Sequence, residues 1–225
     1  MPFNKPMELA CPHCKKHFDF EPVTILTPDS EHLAELFRGS LNSVACPQCQ
    51  AMLNVPVQLI YRDHQRPFMA VQPPHPLPPE EEAAMALRLD ESATEAALDE
   101  GLERPTVRLV FTRPDFIEKI ALHRQGLDDR IVEYAKFQLF NGGAEGINPQ
   151  RHRLLFDFTQ QAEDRIVFLI YDRKTGRPVR ILQVPMAEFQ NLVKEFQTNS
   201  EARQELEHCF PGCRVDIDML LEPHS

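Results

Sequence analysis

The sequence predicts an α+β fold in two modules joined by a stiff spacer, and three observations carry that reading. Two C-P-x-C tetrapeptides, Cys11-Pro12-His13-Cys14 and Cys46-Pro47-Gln48-Cys49, stand 31 residues apart among short strand-like stretches. A proline run, Pro73-Pro74-His75-Pro76-Leu77-Pro78-Pro79, interrupts the chain after them. Beyond it, apolar residues recur both at helical spacing and in alternating runs, the pattern of helices layered on a sheet. The boundaries this implies are a small β module over 1–72 with an inserted helix, a spacer and acidic helix over 73–103, and an antiparallel sheet with helices over 104–225. A chain of 225 residues is long for one domain and comfortable for two.

In the first module His17 to Leu26, Leu53 to Tyr61 and Phe68 to Val71 read as strands, and Asp29 to Arg38 as a helix stopped by Gly39. Residues 73–79 hold five prolines in seven, which can neither sustain a helix nor donate to a sheet ladder. They should run as extended polyproline over roughly 20 Å. Glu80, Glu81 and Glu82 follow Pro79, as suits a helix N-terminus, and Met85, Leu89, Ala93 and Ala96 share one face. Residues 80–102 therefore read as an acidic helix; its stripe is mostly alanine and buries little, so a partly ordered linker is the rival.

The last module opens with a strand over Thr106 to Phe111. A helix over Pro114 to Arg124 follows, with Phe116, Ile117, Ile120 and Ala121 at helical spacing, and Gly126 breaks it. Another helix starts near Asp128, turns Ile131, Val132, Ala135 and Leu139 inward, and ends at Asn141-Gly142-Gly143. Leu154 to Phe158, Arg165 to Tyr171 and Val179 to Val184 form an antiparallel meander. Helices over Ala187 to Phe196 and on to about Cys209 follow. A final strand is expected to place Cys213, Val215, Ile217, Met219 and Leu221 on one face and Arg214, Asp216 and Asp218 on the other.

The cysteines carry the chemistry. A Cys-x-x-Cys turn aims both sulfurs at one ion, and proline presets the backbone at the first turn position. Two such knuckles supply four thiolates, Cys11, Cys14, Cys46 and Cys49, a tetrahedral soft set that suits structural Zn²⁺ and leaves no open coordination position. The module thus reads as zinc-ribbon-like. The gap between knuckles exceeds that of a compact ribbon, but closing it costs only about 0.5 kcal/mol more than an eighteen-residue loop. A structural zinc contributes about 10–16 kcal/mol, so the metal is expected to decide whether residues 1–72 fold. Iron in the same thiolates is one alternative. Another is a thiol-disulfide oxidoreductase using Cys11 and Cys14, since C-P-H-C is similar to the tetrad of DsbA-type oxidants; that site requires a strand before the first cysteine and a helix after the second, whereas Lys15 to Phe20 read as strand.

Charge and hydropathy exclude other classes. The net charge is −10, of which residues 79–103 carry −8, leaving both flanking modules near neutral. Neither has the basic balance that phosphate-backbone binding demands, so a nucleic-acid-binding zinc ribbon, with Lys15, Lys16, Arg62 and Arg66 as contacts, is disfavoured. No apolar run reaches the length of a membrane span, and the start Met-Pro-Phe-Asn-Lys-Pro-Met-Glu has no export-signal pattern, so a reducing cytoplasm is expected. Dinucleotide, phosphate-loop, nucleophile-elbow and H-E-x-x-H signatures are missing from the sequence. These observations favour a non-enzymatic interaction protein whose partner is another protein.

The double C-P-x-C, the Gly39-Ser40-Leu41-Asn42 approach to the second knuckle, Leu59-Ile60-Tyr61-Arg62-Asp63 after it, and Glu118-Lys119-Ile120 followed by Gly126-Leu127-Asp128-Asp129-Arg130 together resemble the bacterial CpXC domain family over roughly residues 7–140. The resemblance implies zinc binding and brings no catalytic residues with it.

Weaker features take ordinary readings. His13 and His17 lie near the first knuckle, but four cysteines already fill the shell. Lys15 and Lys16 either offset thiolate charge or are plain surface lysines. Cys209 and Cys213 read as core cysteines, Asp216 and Asp218 as a solvated carboxylate pair, and Asp128-Asp129 as a helix cap. Asn141-Gly142-Gly143-Ala144-Glu145-Gly146 is the one candidate phosphate cradle, and a helix-to-strand connection explains it.

Overall fold

Proline decides where the first strands end. In the computed structural model, which describes residues 5–101, 103–142, 146–160 and 163–221, the stretch expected as one strand from His17 to Leu26 is two, broken at Pro22. The stretch from Leu53 to Tyr61 is likewise broken at Pro56. Proline lacks the N–H a ladder needs, and the residue before it is restricted as well.

The elements in chain order are β1 (Met7–Ala10), β2 (His17–Phe20), β3 (Ile25–Leu26), α1 (Leu33–Arg38), β4 (Ser43–Ala45), β5 (Met52–Asn54), β6 (Leu59–Asp63), β7 (Phe68–Gln72), α2 (Pro79–Glu100) and β8 (Thr106–Leu109). After these come α3 (Arg113–Arg124), α4 (Asp129–Asn141), β9 (His152–Phe156), β10 (Arg165–Asp172), β11 (Pro178–Pro185), α5 (Met186–Thr198), α6 (Ser200–Cys209) and α7 (Asp218–Leu221). The fold is α+β, with a cluster of four cysteines carried by the N-terminal strands. Strands β1 and β4 escape sequence reading because each is only the short first leg of a hairpin.

Two compact units form, residues 1–117 and 118–225, and the divide falls within α3 rather than at the proline run. The reason lies in β7. Phe68, Met69, Ala70 and Val71 are all buried there, so both of its edges and both of its faces need cover. Antiparallel β6 takes one edge, and β8 takes the other in parallel register, from Phe68 opposite Thr106 to Val71 opposite Leu109. Parallel neighbours require a long crossover. The proline run and acidic α2 are that crossover, so the segment expected to separate modules instead closes a β–α–β arrangement inside the first unit. The resulting sheet runs β3-β6-β7-β8. Pro79 sits at the first helical position of α2, with Glu80, Glu81 and Glu82 in its first turn. Ala93 is its buried anchor, Met85 and Leu89 are half-buried, and Leu87 and Leu98 are exposed. Residue 102 and the side chain of Ala96 lie outside the described residues.

In the second unit the meander β9-β10-β11 presents Leu154, Phe156, Ile166, Phe168 and Ile170 to Leu122 of α3, Val132 of α4, Phe189 and Phe196 of α5, and Leu206 of α6. Burying each phenylalanine or leucine there contributes about 1.5–3 kcal/mol. The expected final strand is not formed. Cys213, Val215 and Ile217 are buried in alternation, as parity requires, but Asp216 accepts the Asp218 N–H at 2.9 Å and starts the short helix α7, which carries Met219 and Leu221. An aspartate that satisfies backbone donors locally competes with strand pairing.

Candidate metal centre

Each C-P-x-C tetrapeptide caps a two-stranded hairpin, and the two hairpins repeat one geometry at an offset of 35 residues. In the first, Ala10 opposite His17 closes the β1–β2 ladder; in the second, Ala45 opposite Met52 closes β4–β5. Just inside these pairs the Cys11 N–H donates to the Lys16 carbonyl at 2.9 Å, and the Cys46 N–H to the Ala51 carbonyl at 2.9 Å. The Lys15 N–H returns to the Cys11 carbonyl at 2.9 Å, as the Gln50 N–H does to Cys46 at 2.9 Å. This return forces left-handed backbone at Lys15 (φ 62°) and Gln50 (φ 58°), which ordinary residues adopt only at a cost. Local strain is therefore the means of turning both cysteines of each knuckle inward.

The four sulfurs lie within 4.8 Å of one another. Thiolate bonds of about 2.3 Å to a tetrahedral ion demand sulfur–sulfur edges of about 3.8 Å. The separations are 3.7 Å for Cys11–Cys49 and 3.6 Å for Cys14–Cys46, each running between hairpins rather than within one. The four cysteines singled out from sequence therefore come together in a site that could hold a tetrahedral metal. The first cysteine of each knuckle is fully buried, Cys14 is half-buried and Cys49 is exposed, so the centre has one dry and one wet side.

Electrostatics within the cluster call for a cation. The Cys46 thiol is pulled down to about 6, chiefly because the Cys49 N–H donates to its sulfur, helped by the Gln48 N–H and the neighbouring thiols. Cys49 goes the other way, up to about 12: the Ala51 N–H favours its thiolate, but burial and the sulfurs of Cys14, Cys46 and Cys11 outweigh it. One thiolate forms readily and the next resists, and a bound divalent ion would favour both thiolates.

What holds the hairpins in register is a residue to which the sequence assigned no role. Asn42 is buried, has φ 61°, and uses both ends of its amide on Val23: the Val23 N–H donates to Oδ1 at 2.8 Å, and Nδ2 donates to the Val23 carbonyl at 2.8 Å. The side chain thus stands in for a paired strand beside the segment that follows β2. Its own carbonyl accepts the Val55 N–H at 2.9 Å just after β5. One residue therefore clips the first hairpin's exit to the second hairpin's base. The short helix α1 delivers it there. Leu33 and Leu36 are buried, and Gly39 ends the helix at φ 76° with its N–H on the Leu36 carbonyl at 3.0 Å.

Other sequence candidates fall outside this centre. His13 is exposed, and His17 is exposed beside Glu8 at 3.4 Å. Lys15 and Lys16 sit on the first knuckle, whereas Arg62 belongs to β6 and Arg66 pairs with Asp63 at 3.5 Å in the turn after it. Cys213 is buried and Cys209 half-buried. Asp218 is not simply solvated: its Oδ2 accepts from Arg173 at 3.0 Å. Asp128 caps α4, accepting the Arg130 N–H at 3.0 Å. Of the glycine-rich cluster after α4, residues 143–145 lie outside the described residues.

Sequence reading also missed an ionic cluster in the second unit. Glu118, Lys119, Asp129, Glu133 and Lys136 are all buried. Lys119 Nζ lies 3.1 Å from Asp129 Oδ2 and donates to Glu133 Oε1 at 3.0 Å. Lys136 Nζ donates to Glu118 Oε1 at 2.8 Å and to Glu133 Oε1 at 2.9 Å. A signal was present: Glu133 and Lys136 directly follow inward Val132 and Ala135, and Glu118-Lys119 sits between Ile117 and Ile120.

Two proline-bearing hairpins on an α+β framework close a tetra-cysteine site that could hold a metal. The chain belongs to the CpXC family: the family model, described as CpXC protein, matches residues 9–136, which contain both knuckles, Asn42 and all five residues of the buried cluster. No curated protein and no solved structure matches it. No helix among the described residues is long and apolar enough to cross a membrane.

Proposed function

We propose that this chain is a cytoplasmic interaction protein without enzymatic activity, in which Cys11, Cys14, Cys46 and Cys49 hold one structural Zn²⁺ and the folded surface that results binds another protein. The observation that supports this most is the closed sulfur shell. Four thiolates at tetrahedral spacing leave no coordination position for water or substrate, which separates structural from catalytic zinc. Near-neutral knuckles without a basic stripe count against a nucleic-acid partner. The oxidoreductase alternative on Cys11 and Cys14 fares worse, because Cys14 leads into strand β2 instead of a helix whose N-terminus could lower a thiol, and Cys11 is sealed from solvent.

Elemental analysis and thiol titration of the full-length chain test the proposal together. The expected result is one zinc per chain, released as four thiols are titrated, with no turnover in an insulin-reduction assay. Iron in place of zinc would revise the metal alone. Metal-free folded protein that reduces disulfides would overturn the reading. Capture of a discrete protein partner by the metallated chain, lost after chelation, is the corresponding test of the interaction role.

A further inference from the structure

The three-stranded sheet of the second unit is closed along one edge and open along the other. Its order is β11-β10-β9, so β9 and β11 are its edge strands. On β9 the outward Phe156 N–H is taken by Glu118 Oε1 at 2.5 Å, and both Leu154 and Phe156 are buried. Strand β11 has no such cover: among the described residues no strand lies beyond it, and only Leu182 and Val184 along it are even half-buried. Two hydrogen bonds fix which of its backbone groups turn outward. The Asp157 N–H donates to the Val167 carbonyl at 2.8 Å, so Val167 bonds toward β9, and Gln183, opposite it on β11, turns away from the sheet. The Met186 N–H donates to the Asp164 carbonyl at 2.8 Å and sets the same alternation from the other end: Val184 and Leu182 bond inward, Gln183 and Ile181 outward.

Edge strands are commonly blunted by charge. Here the only charged side chain between Pro178 and Pro185 is Arg180, while Val179 and Ile181 are 53% and 45% exposed. The two prolines lack the N–H of a ladder and so set its limits. Pairing with β10 is regular from Arg180 to Pro185 and slips only at Val179, which leaves 180–184 as an even stretch centred on Leu182. We propose that β11 pairs antiparallel with β11 of a second copy of this chain, about a two-fold axis at Leu182, joining two three-stranded sheets into one. In that register the Ile181 N–H and carbonyl meet the carbonyl and N–H of the partner's Gln183, and the axis repeats the exchange, so four backbone hydrogen bonds form. Any extended chain satisfies these backbone groups; the side chains single out a second copy. Leu182 falls opposite the partner's Leu182, Arg180 opposite the partner's Val184, and Ile181 lies about 7–8 Å diagonally from the partner's Ile181. The two arginines stand four residues apart along the strands, about 13 Å, so no like charges oppose each other. The joined sheet then ends on β9 at both sides, where Glu118 already takes the outward N–H of Phe156.

Sedimentation velocity of the full-length chain over a range of concentrations tests this, with hydrogen exchange read at the Ile181 and Gln183 amides. The expected result is a reversible step from one chain to two, with both amides slowing as the dimer forms. Ile181→Pro removes an N–H that makes no bond within its own sheet, so the single chain should keep its fold. Two of the four bonds between copies are lost, and self-association should weaken at least about tenfold. Ile181→Lys sets like charges diagonally across the axis and should also weaken it, more at low salt than at high. Leu98→Lys, on the exposed side of α2, should leave it unchanged. A chain that stays monomeric at every concentration, whether or not another protein covers this edge, overturns the proposal, as does a dimer that survives both substitutions at Ile181. If the proline variant fails to fold, Ile181→Lys decides alone.

Discussion

Replacing Asn42 with alanine is the sharpest test of how the two knuckles are held together. The change removes both bonds to Val23, each 2.8 Å, and leaves a partly buried N–H and carbonyl without their partner. Each such loss costs about 1–2 kcal/mol at this degree of burial. Alanine must also hold φ 61°, which asparagine tolerates better, adding roughly 1 kcal/mol. The sum is about 3–5 kcal/mol. Metal ligation requires the clipped arrangement, so the loss should pass into metal affinity, weakening it about 10² to 4 × 10³-fold at 1.4 kcal/mol per tenfold. Competition against a chromophoric zinc chelator measures this directly. Asn42→Gly relieves the backbone while still lacking the clip, so it should recover only the roughly 1 kcal/mol of backbone cost. Asn42→Asp keeps the acceptor but turns an oxygen toward the Val23 carbonyl, and should do no better than alanine. An alanine variant that binds zinc within threefold of the parent would refute the clip.

Four further outcomes follow from the same geometry. Cys46→Ser should abolish tight zinc binding, read as zinc per chain by elemental analysis, because its sulfur is wholly buried and pairs across the hairpins with Cys14 at 3.6 Å. Lys15→Gly and Gln50→Gly should each stabilise the metallated protein by about 0.5–1 kcal/mol in thermal melts, since both positions hold left-handed backbone. Chelation should collapse the amide signals of the hairpins and spare those of Phe168 and Ile170 in the second unit, because the tetra-cysteine site, where the proposed zinc would be worth about 10–16 kcal/mol, lies in the first. Lys136→Met should destabilise the second unit by about 3–5 kcal/mol in urea titration, since it takes the cation partner of buried Glu118 and one of the two lysines on Glu133.

Legibility from sequence followed the range of each interaction. The knuckles were readable because a C-P-x-C turn is complete within a few residues, and α3, α4, α5 and the meander because their apolar periods are local. The cap at Asp128 was readable for the same reason. Strand ends at Pro22 and Pro56 were in plain sight and were overrun only because the apolar pattern continues past them. The acidic helix was recognised, yet its task was misjudged: a linker and a crossover share one composition, and only the pairing of β7 with β8 tells them apart.

The chain by itself determined the candidate ligand set, since each preset turn places two soft thiols within four residues, Cys11 with Cys14 and Cys46 with Cys49. Tertiary structure decided the rest. Asn42 and Glu118 are ordinary polar letters in a sequence, equally at home in water; what gives them their roles is an amide of Val23 and a lysine on another helix, brought close by segments far away along the chain. Short-range geometry is written in neighbouring residues, whereas the cost of burying a polar group depends on partners that folding alone supplies.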